Sequence, residues 1–595
     1  MVFCAKETSG ASVNAIRAPL ALRRSLIGCA AAFILAAAIA FVASALSSLL
    51  PENALAEYFF RTQDAPWIAA IAALLVACAF LRFPATFAAP KADARVMALG
   101  LAAAVFACGA LGSSLVFDHH HLSRDEVMAE FDAMTFRAGH FIAPVDPEWR
   151  SFAKALAPRF MLPVADGLGF SSQYLPGNAL LRALVGSFGD SDLTSPLLAA
   201  LSVIATFGVA RRLWPGRRDV AIIAPLLVAT SSQVLVTSMT SYAMSAHLAL
   251  NLLWLWLFLR GDRVGHAGAI LVGALACGLH QVVFHPLFVA PFIYRLWREN
   301  RRLAAVYGVS YALICLFWMS YFQLILNLEG MAAESASGAG LLDFAKRAVH
   351  EILFGEKNVL AIMLMNLLRF VSWQNPFLLP LALLAYRQIR DGTGIARELA
   401  AGLALTLYAM TIILSYQGHG WGYRYLHGLI GSMALLAAYG WVSLTEGASA
   451  AEAASSRSAF AISCAFAVGL LFPARAWQAH DFVAPYAKAR IAIERAGADV
   501  VLLDKSDLLF GEDLVRNDPF LRNKPKALDL TYIDEAGLAA LCQRHSVSLF
   551  DASQGRKFGI APDNGMQPIE EKKRRAELRA VLEQMPCGAP LSVEP

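Results

Sequence analysis

The sequence predicts an α-helical polytopic membrane protein of about 13 transmembrane helices, followed by a small α/β domain. Three observations predict it. Of 595 residues, 57% are hydrophobic and only 16% are Asp, Glu, Lys or Arg; an average soluble domain carries roughly 25% of these. Mean hydropathy is +0.53. Long apolar runs recur up to about residue 473, and beyond it charged residues become common again. This composition excludes a soluble enzyme, a disordered protein and a nucleic-acid binder. The net charge of +5 is small for the length. The nine Cys include no C-x-x-C pair, which argues against zinc ribbons, iron–sulfur clusters and a disulfide framework.

Apolar runs lie at about 25–50, 66–87, 95–117, 194–213, 219–237, 242–260, 267–283, 285–298, 303–327, 365–386, 397–416, 425–444 and 458–473. A span needs about 20 such residues, so 267–283 and 285–298 read as two short helices meeting at one surface. The first run follows Arg17, Arg23 and Arg24, and Ala54–Leu55–Ala56 resembles a cleavage site. Its apolar stretch is too long for a signal peptide and reads as a retained helix.

Arg and Lys set the orientation. Arg82, Lys91, Arg95, Arg211, Arg212, Arg217, Arg218, Arg295, Arg298, Arg387 and Arg390 fall in one set of short loops; the opposite set holds little beyond Arg61 and Arg424. The expectation is a cytoplasmic tail over 1–24, a membrane domain over 25–473 and an outward domain over 474–595. Outward polar segments are 118–193 and 328–358, and the low-complexity loop 446–457 falls inside. In the last domain, a helix at 482–496 stops at Gly497, strands follow at Val500–Leu503 and Val547–Phe550, and helices at 534–544 and 570–584. Cys542 and Cys587 both lie there, as a disulfide or as two thiols.

Chemistry is expected at the outer interface. Of 13 histidines, all but His266 fall in outward loops or outer halves of spans. The loop FDHHHLSRDEVMAEFDAMTFRAGHF carries Ser123 and Glu126 at capping-box spacing, which starts a helix at Arg124. Val127, Phe131 and Met134 form its apolar stripe, and Gly139 ends it. Asp125 and Glu126 then stand in the first turn, where acids also favour the helix dipole. The box needs Glu126 and leaves Asp125 without a capping duty.

An outward loop opening on Asp125-Glu126 at a helix start resembles the GT-C superfamily of polyprenyl-phosphate-sugar glycosyltransferases, to which protein O-mannosyltransferases and lipid A aminoarabinose transferases belong. The stretch FSSQYLPGNALLRAL resembles that superfamily's aromatic-Pro-Pro-Gly segment through Tyr174, Pro176 and Gly177, with Leu175 where a proline is common. GHGWGYRYLHG resembles a Trp-Gly-x-Arg-Tyr stretch at an outer helix end. Two spans more than in many relatives precede the acidic loop, and no Lys stands at the Tyr174–Gly177 turn.

The resemblance implies a bacterial inner-membrane enzyme that moves a sugar from a polyprenyl-phosphate donor to a periplasmic or cell-envelope acceptor. Asp125 is the expected general base, with Glu126 beside it. Arg424 and Arg369 are candidates for the departing lipid phosphate, because a guanidinium offers a planar fork that stays charged. His280 and His285 are further candidates there, and Tyr174, Asp166 and His419 for substrate. Asp166–Gly167 also fits a plain turn. No cofactor is implied with certainty; a divalent metal ion could be held by His119 and His121. An O-antigen ligase or polymerase is the alternative enzyme, but its main outward catalytic loop comes late in the chain. A transporter or lipid flippase would carry repeats and mid-bilayer ionisable groups; no repeat is found.

Overall fold

The structure, a computed structural model, describes residues 15–47, 54–86, 92–157, 159–162, 164–332, 359–563 and 569–589. Most of the expected polar segment 328–358, with His350, lies outside the described residues. Among the described residues, seven helices are long and apolar enough to cross a membrane: Leu20–Ala45, Leu55–Phe80, Ala94–Leu115, Ser191–Leu213, Arg301–Leu328, Ala396–Ile413 and Ala450–Glu494. Four shorter apolar helices accompany them: Met244–Phe258, Arg263–Cys277, Val359–Ser372 and Ile430–Thr445. Their outer faces leave Leu99, Leu111, Leu271, Val309, Leu313 and Leu316 exposed. So many bare aliphatic side chains are costly in water and cost nothing against lipid.

Two expected spans are interrupted. The run 219–237 divides into Arg218–Ala229 and Ser232–Thr237, and 365–386 into Val359–Ser372 and Leu378–Leu384. Local chemistry explains both breaks. Ser231 caps the second piece, its side chain accepting from the Val234 amide at 3.2 Å. Asn375-Pro376 ends the other helix, because a proline disfavours helical backbone before it. Backbone freed at membrane depth must find partners inside the protein, and the two breaks supply each other. The Gln233 amide donates to the Trp373 carbonyl at 3.1 Å. Gln374 donates to the Gln233 side chain at 2.7 Å, and Ser231 to Gln374 at 2.8 Å.

The tail contains a three-stranded parallel sheet, ordered Lys526–Asp529, Val500–Leu503, Val547–Phe550. The central strand is buried throughout, as a continuous apolar run requires. The strand Lys526–Asp529 has no alternating pattern and escaped the sequence reading. Cys542 and Cys587 form a disulfide. The expected boundary at 473/474 cuts through a continuous helical segment: Ala450–Glu494 includes one π-helical turn at Ala467–Leu471 and absorbs the helix expected at 482–496. Arg475, just past that boundary, is fully buried. The expected inside loop 446–457 is mostly helix, capped by Ser449 and Glu452.

Candidate active site

The loop helix spans Arg124–Arg137, as its cap signal predicts, but the cap is not made as expected. Ser123 has extended backbone and its side chain accepts no capping bond. Glu126 instead reaches across to the Ser241 amide at 2.9 Å. Of the expected stripe, Phe131 is buried, Val127 is partly buried and Met134 is exposed. Gly139 follows the C-cap with φ 85°.

Successive helix residues point about 100° apart, so the first turn faces three ways. Arg124 enters the tail domain, donating to the carbonyls of Glu512 and Val515, the latter at 2.8 Å. Glu126 turns to Ser241. Asp125 faces the third direction. One of its oxygens accepts from the Tyr174 hydroxyl and the other from the Arg424 guanidinium.

Arg424 is delivered by the glycine-rich loop before it. Gly422 has φ 67°, a left-handed conformation, and a Cβ there would collide with the Gln233 side chain. Gln233 in turn donates to the Tyr423 carbonyl at 2.9 Å, so the paired helix breaks fix the approach to Arg424. Arg424 lies over the Tyr242 ring, 5.1 Å from its centroid. Its backbone amide donates to Gln417 at 2.9 Å, and its Nε has no hydrogen-bond partner among the described residues.

Tyr174 and His280 come together because Gly177 lets two backbones touch. The Gly177 amide donates to the Gly278 carbonyl at 2.7 Å, where a side chain would not fit. The His280 ring stacks on Tyr174 at 4.7 Å, with its Nε2 unpartnered. Asp125, Tyr174, Tyr242, His280 and Asp132 line one cavity of about 20 Å³. That is room for about one water and none for a sugar, so a substrate must part these side chains.

Burial disfavours the charge on Asp125, but Arg424 outweighs it and holds the carboxyl below its ordinary range. Asp132, on the same cavity, moves the other way. Its burial pushes it up to about 7 against hydrogen bonds from Ser172. The two carboxyls thus differ in proton affinity, a separation that lets neighbouring acids take different roles. Burial also lowers His280, and burial with the Arg424 charge lowers His419 to about 3. Both shifts favour the neutral ring.

The other expected residues are placed as follows. His419 is buried below Arg424, its Nδ1 3.2 Å from the Tyr242 hydroxyl and its ring stacked on Phe482. Arg369 is engaged within the protein. It pairs with Asp64 at 2.9 Å, donates to the Gly420 and Gly422 carbonyls at 2.7 and 3.2 Å, and lies over Phe59. It supports the loop that presents Arg424. Arg475 shares Asp64, which also accepts from Ser372 and Trp373. His285 is likewise engaged elsewhere, 2.7 Å from Asn251 and 2.8 Å from Tyr311. Asp166 is exposed in a turn with φ 56°, outside the cavity. His119 meets Asp192 at 3.0 Å, and His121 meets it at 3.2 Å.

The sequence reading missed Asp132, Tyr242 and Asp64. Asp132 stands two turns after Asp125 on the same helix, and that spacing was the only signal for it. Tyr242 and Asp64 lie in or beside apolar runs that gave no hint of a site.

Glu126→Gln keeps an oxygen for the Ser241 amide. The folded amount should be normal and the activity within about tenfold of wild type, since a neutral acceptor makes the same bond. Gel filtration with a rate measurement checks this.

No model of a known protein family matches the chain, and no curated protein matches it in sequence. Among solved structures the chain is similar to ArnT from Cupriavidus metallidurans bound to undecaprenyl phosphate. The identity is 14% and the TM-score 0.47, over 71% of this chain and 85% of that one. It is similar to the apo state of ArnT from the same organism at 12% identity and a TM-score of 0.44, over 72% and 86% of the two chains. These values describe a distant likeness in outline and assign no role to any residue.

Proposed function

We propose that the protein is a membrane glycosyltransferase of GT-C type, moving a sugar from a polyprenyl-phosphate donor to a cell-envelope acceptor. One observation carries the reading. An acid from the early loop and an arginine 299 residues later form a partly buried ion pair. Both stand in motifs that resemble those of this superfamily, and the reaction needs both groups. The acceptor hydroxyl must lose a proton as it attacks the anomeric carbon, and Asp125 is the base. The leaving lipid phosphate needs its charge stabilised rather than a proton, and Arg424 supplies the fork.

In the closed pair each group blocks the other. A donor phosphate arriving at Arg424 takes the guanidinium bonds that Asp125 now accepts. The carboxylate is thereby released towards the acceptor hydroxyl, with Tyr174 left to orient it. Neutral His280 has a free ring nitrogen at the same cavity and is placed to donate to a phosphate oxygen or a sugar hydroxyl. Donor binding and activation of the base are then one event.

The reading also requires the loop 118–193 and the tail on the outer face of a bacterial inner membrane, with the N-terminus inside. A reporter fused to the tail should be active only in its exported form.

The deciding experiment is binding of a short-chain polyprenyl phosphate to the detergent-purified protein, followed by native mass spectrometry. The phosphate should bind to wild type, bind weakly to Arg424→Ala, and outcompete the unphosphorylated polyprenol. Equal binding of alcohol and phosphate would sink the assignment.

A further inference from the structure

Behind the loop helix, on the side away from Asp125, lies a second polar cluster. We propose that His121, Glu130 and Asp192 hold a zinc ion that fixes the loop helix against the membrane region. The three come from separate segments: the loop before the helix, the helix itself, and the turn that opens the span Thr194–Leu213. One ligand atom from each lies within 4.8 Å of the others. His121 Nε2 and Asp192 Oδ1 are 3.2 Å apart, near the roughly 3.4 Å that separates two ligands of a tetrahedral zinc with bonds of about 2.1 Å. The Ser241 hydroxyl touches both His121 and Glu130, at 3.0 Å each.

Charge argues for a divalent cation. Glu126 faces the same cluster, its Oε1 3.9 Å from His121 Nδ1. It is 1% exposed, and its second oxygen has no hydrogen-bond partner. Arg182, fully buried, pairs with Glu130 at 2.6 Å. Glu126, Glu130 and Asp192 outnumber the Arg182 guanidinium, and a divalent ion would offset that excess in place of a proton on His121. The donor set, one imidazole with two carboxylates, suits zinc better than calcium or magnesium, which prefer oxygen alone. His121, Glu130 and Asp192 keep about 15% of their side-chain surface, so an ion can enter from solvent. The His119 ring meets Asp192 through the oxygen that faces away from His121 and is more than half exposed, which makes it a second contact to that carboxylate rather than a ligand.

The ion touches no reacting atom. It ties Ser241, the neighbour of Tyr242, to the helix that carries Asp125, so these are positioning residues. The site stands or falls independently of the role given to Asp125.

The test is equilibrium dialysis of chelator-stripped full-length protein against zinc chloride, with metal counted by atomic emission. Wild type should retain one zinc per chain, as should Asp125→Asn. Asp192→Asn and His121→Gln should each bind more than about tenfold weaker, the least that loss of even an outer contact costs. Glu130→Gln serves if either of these does not fold. X-ray absorption at the zinc edge should show nitrogen and oxygen ligands without sulfur. No zinc retained by wild type, retention unaffected by all three substitutions, sulfur ligation, or equal competition by calcium would each overturn the proposal.

Discussion

Asp125→Asn should lower the transfer rate by about 10²–10⁴, the range for losing a general base, while the folded amount stays near normal. Asparagine is nearly isosteric, suits a helix start, and keeps one acceptor oxygen for the Arg424 guanidinium while its amide can donate to the Tyr174 oxygen. It cannot take a proton. The informative readout is a single-turnover rate at saturating donor, where binding no longer contributes. The loss should appear in that rate, with donor affinity equal to or better than wild type, since Arg424 then faces a neutral neighbour instead of a carboxylate. A variant that transfers at the wild-type rate per folded molecule would make Asp125 an architectural partner of Arg424 and nothing more.

Arg424 should show a different signature. Arg424→Ala should cost about 10²–10³ in kcat/KM for the donor, the range for losing one preorganised donor at a developing negative charge. It also removes the side chain that packs over Tyr242 and leaves the partly buried Asp125 without its cation, a loss of stability below the roughly 3–5 kcal/mol of a fully buried pair. The folded yield must therefore be measured alongside. Arg424→Lys separates the two effects. Lysine keeps the charge beside Asp125 but removes the fork, so folding should recover while donor KM stays raised. If both variants bind and use donor like wild type, Arg424 is not the phosphate contact.

The membrane character was legible because it rests on composition, and the strands Val500–Leu503 and Val547–Phe550 because short apolar runs between polar turns admit few readings. The first turn of the loop helix was legible from Ser123 and the acids after it. Its partners were not, since a capping box and a long-range bond from Glu126 to Ser241 use the same atoms. Hydrophobicity alone could not reveal the breaks at Thr230–Ser231 and Trp373–Pro376. Their pairing glutamines sit in apolar runs, and the bonds join residues more than 140 apart. Arg369 and His285 drew interest for a sound reason, since ionisable groups in such surroundings need one. Their reason proved to be Asp64 with two glycine carbonyls, and Asn251 with Tyr311. Sequence cannot show that a charge is already paired.

The grip of the tail on the early loop has a consequence for biosynthesis. Arg124 binds carbonyls of Glu512 and Val515, the nearer 388 residues later in the chain, and Arg516 donates to the carbonyl of His121 across 395 residues. At about 5–20 residues per second, the ribosome needs roughly 20–80 seconds to make the distance between them. The loop emerges early and must wait for a clamp that does not yet exist. Spans can insert and pack in order during that interval, but the first turn of the loop helix settles only near the end of synthesis. A chain released before Arg516 would hold most of its membrane region and lack this clamp on the first turn of the loop helix.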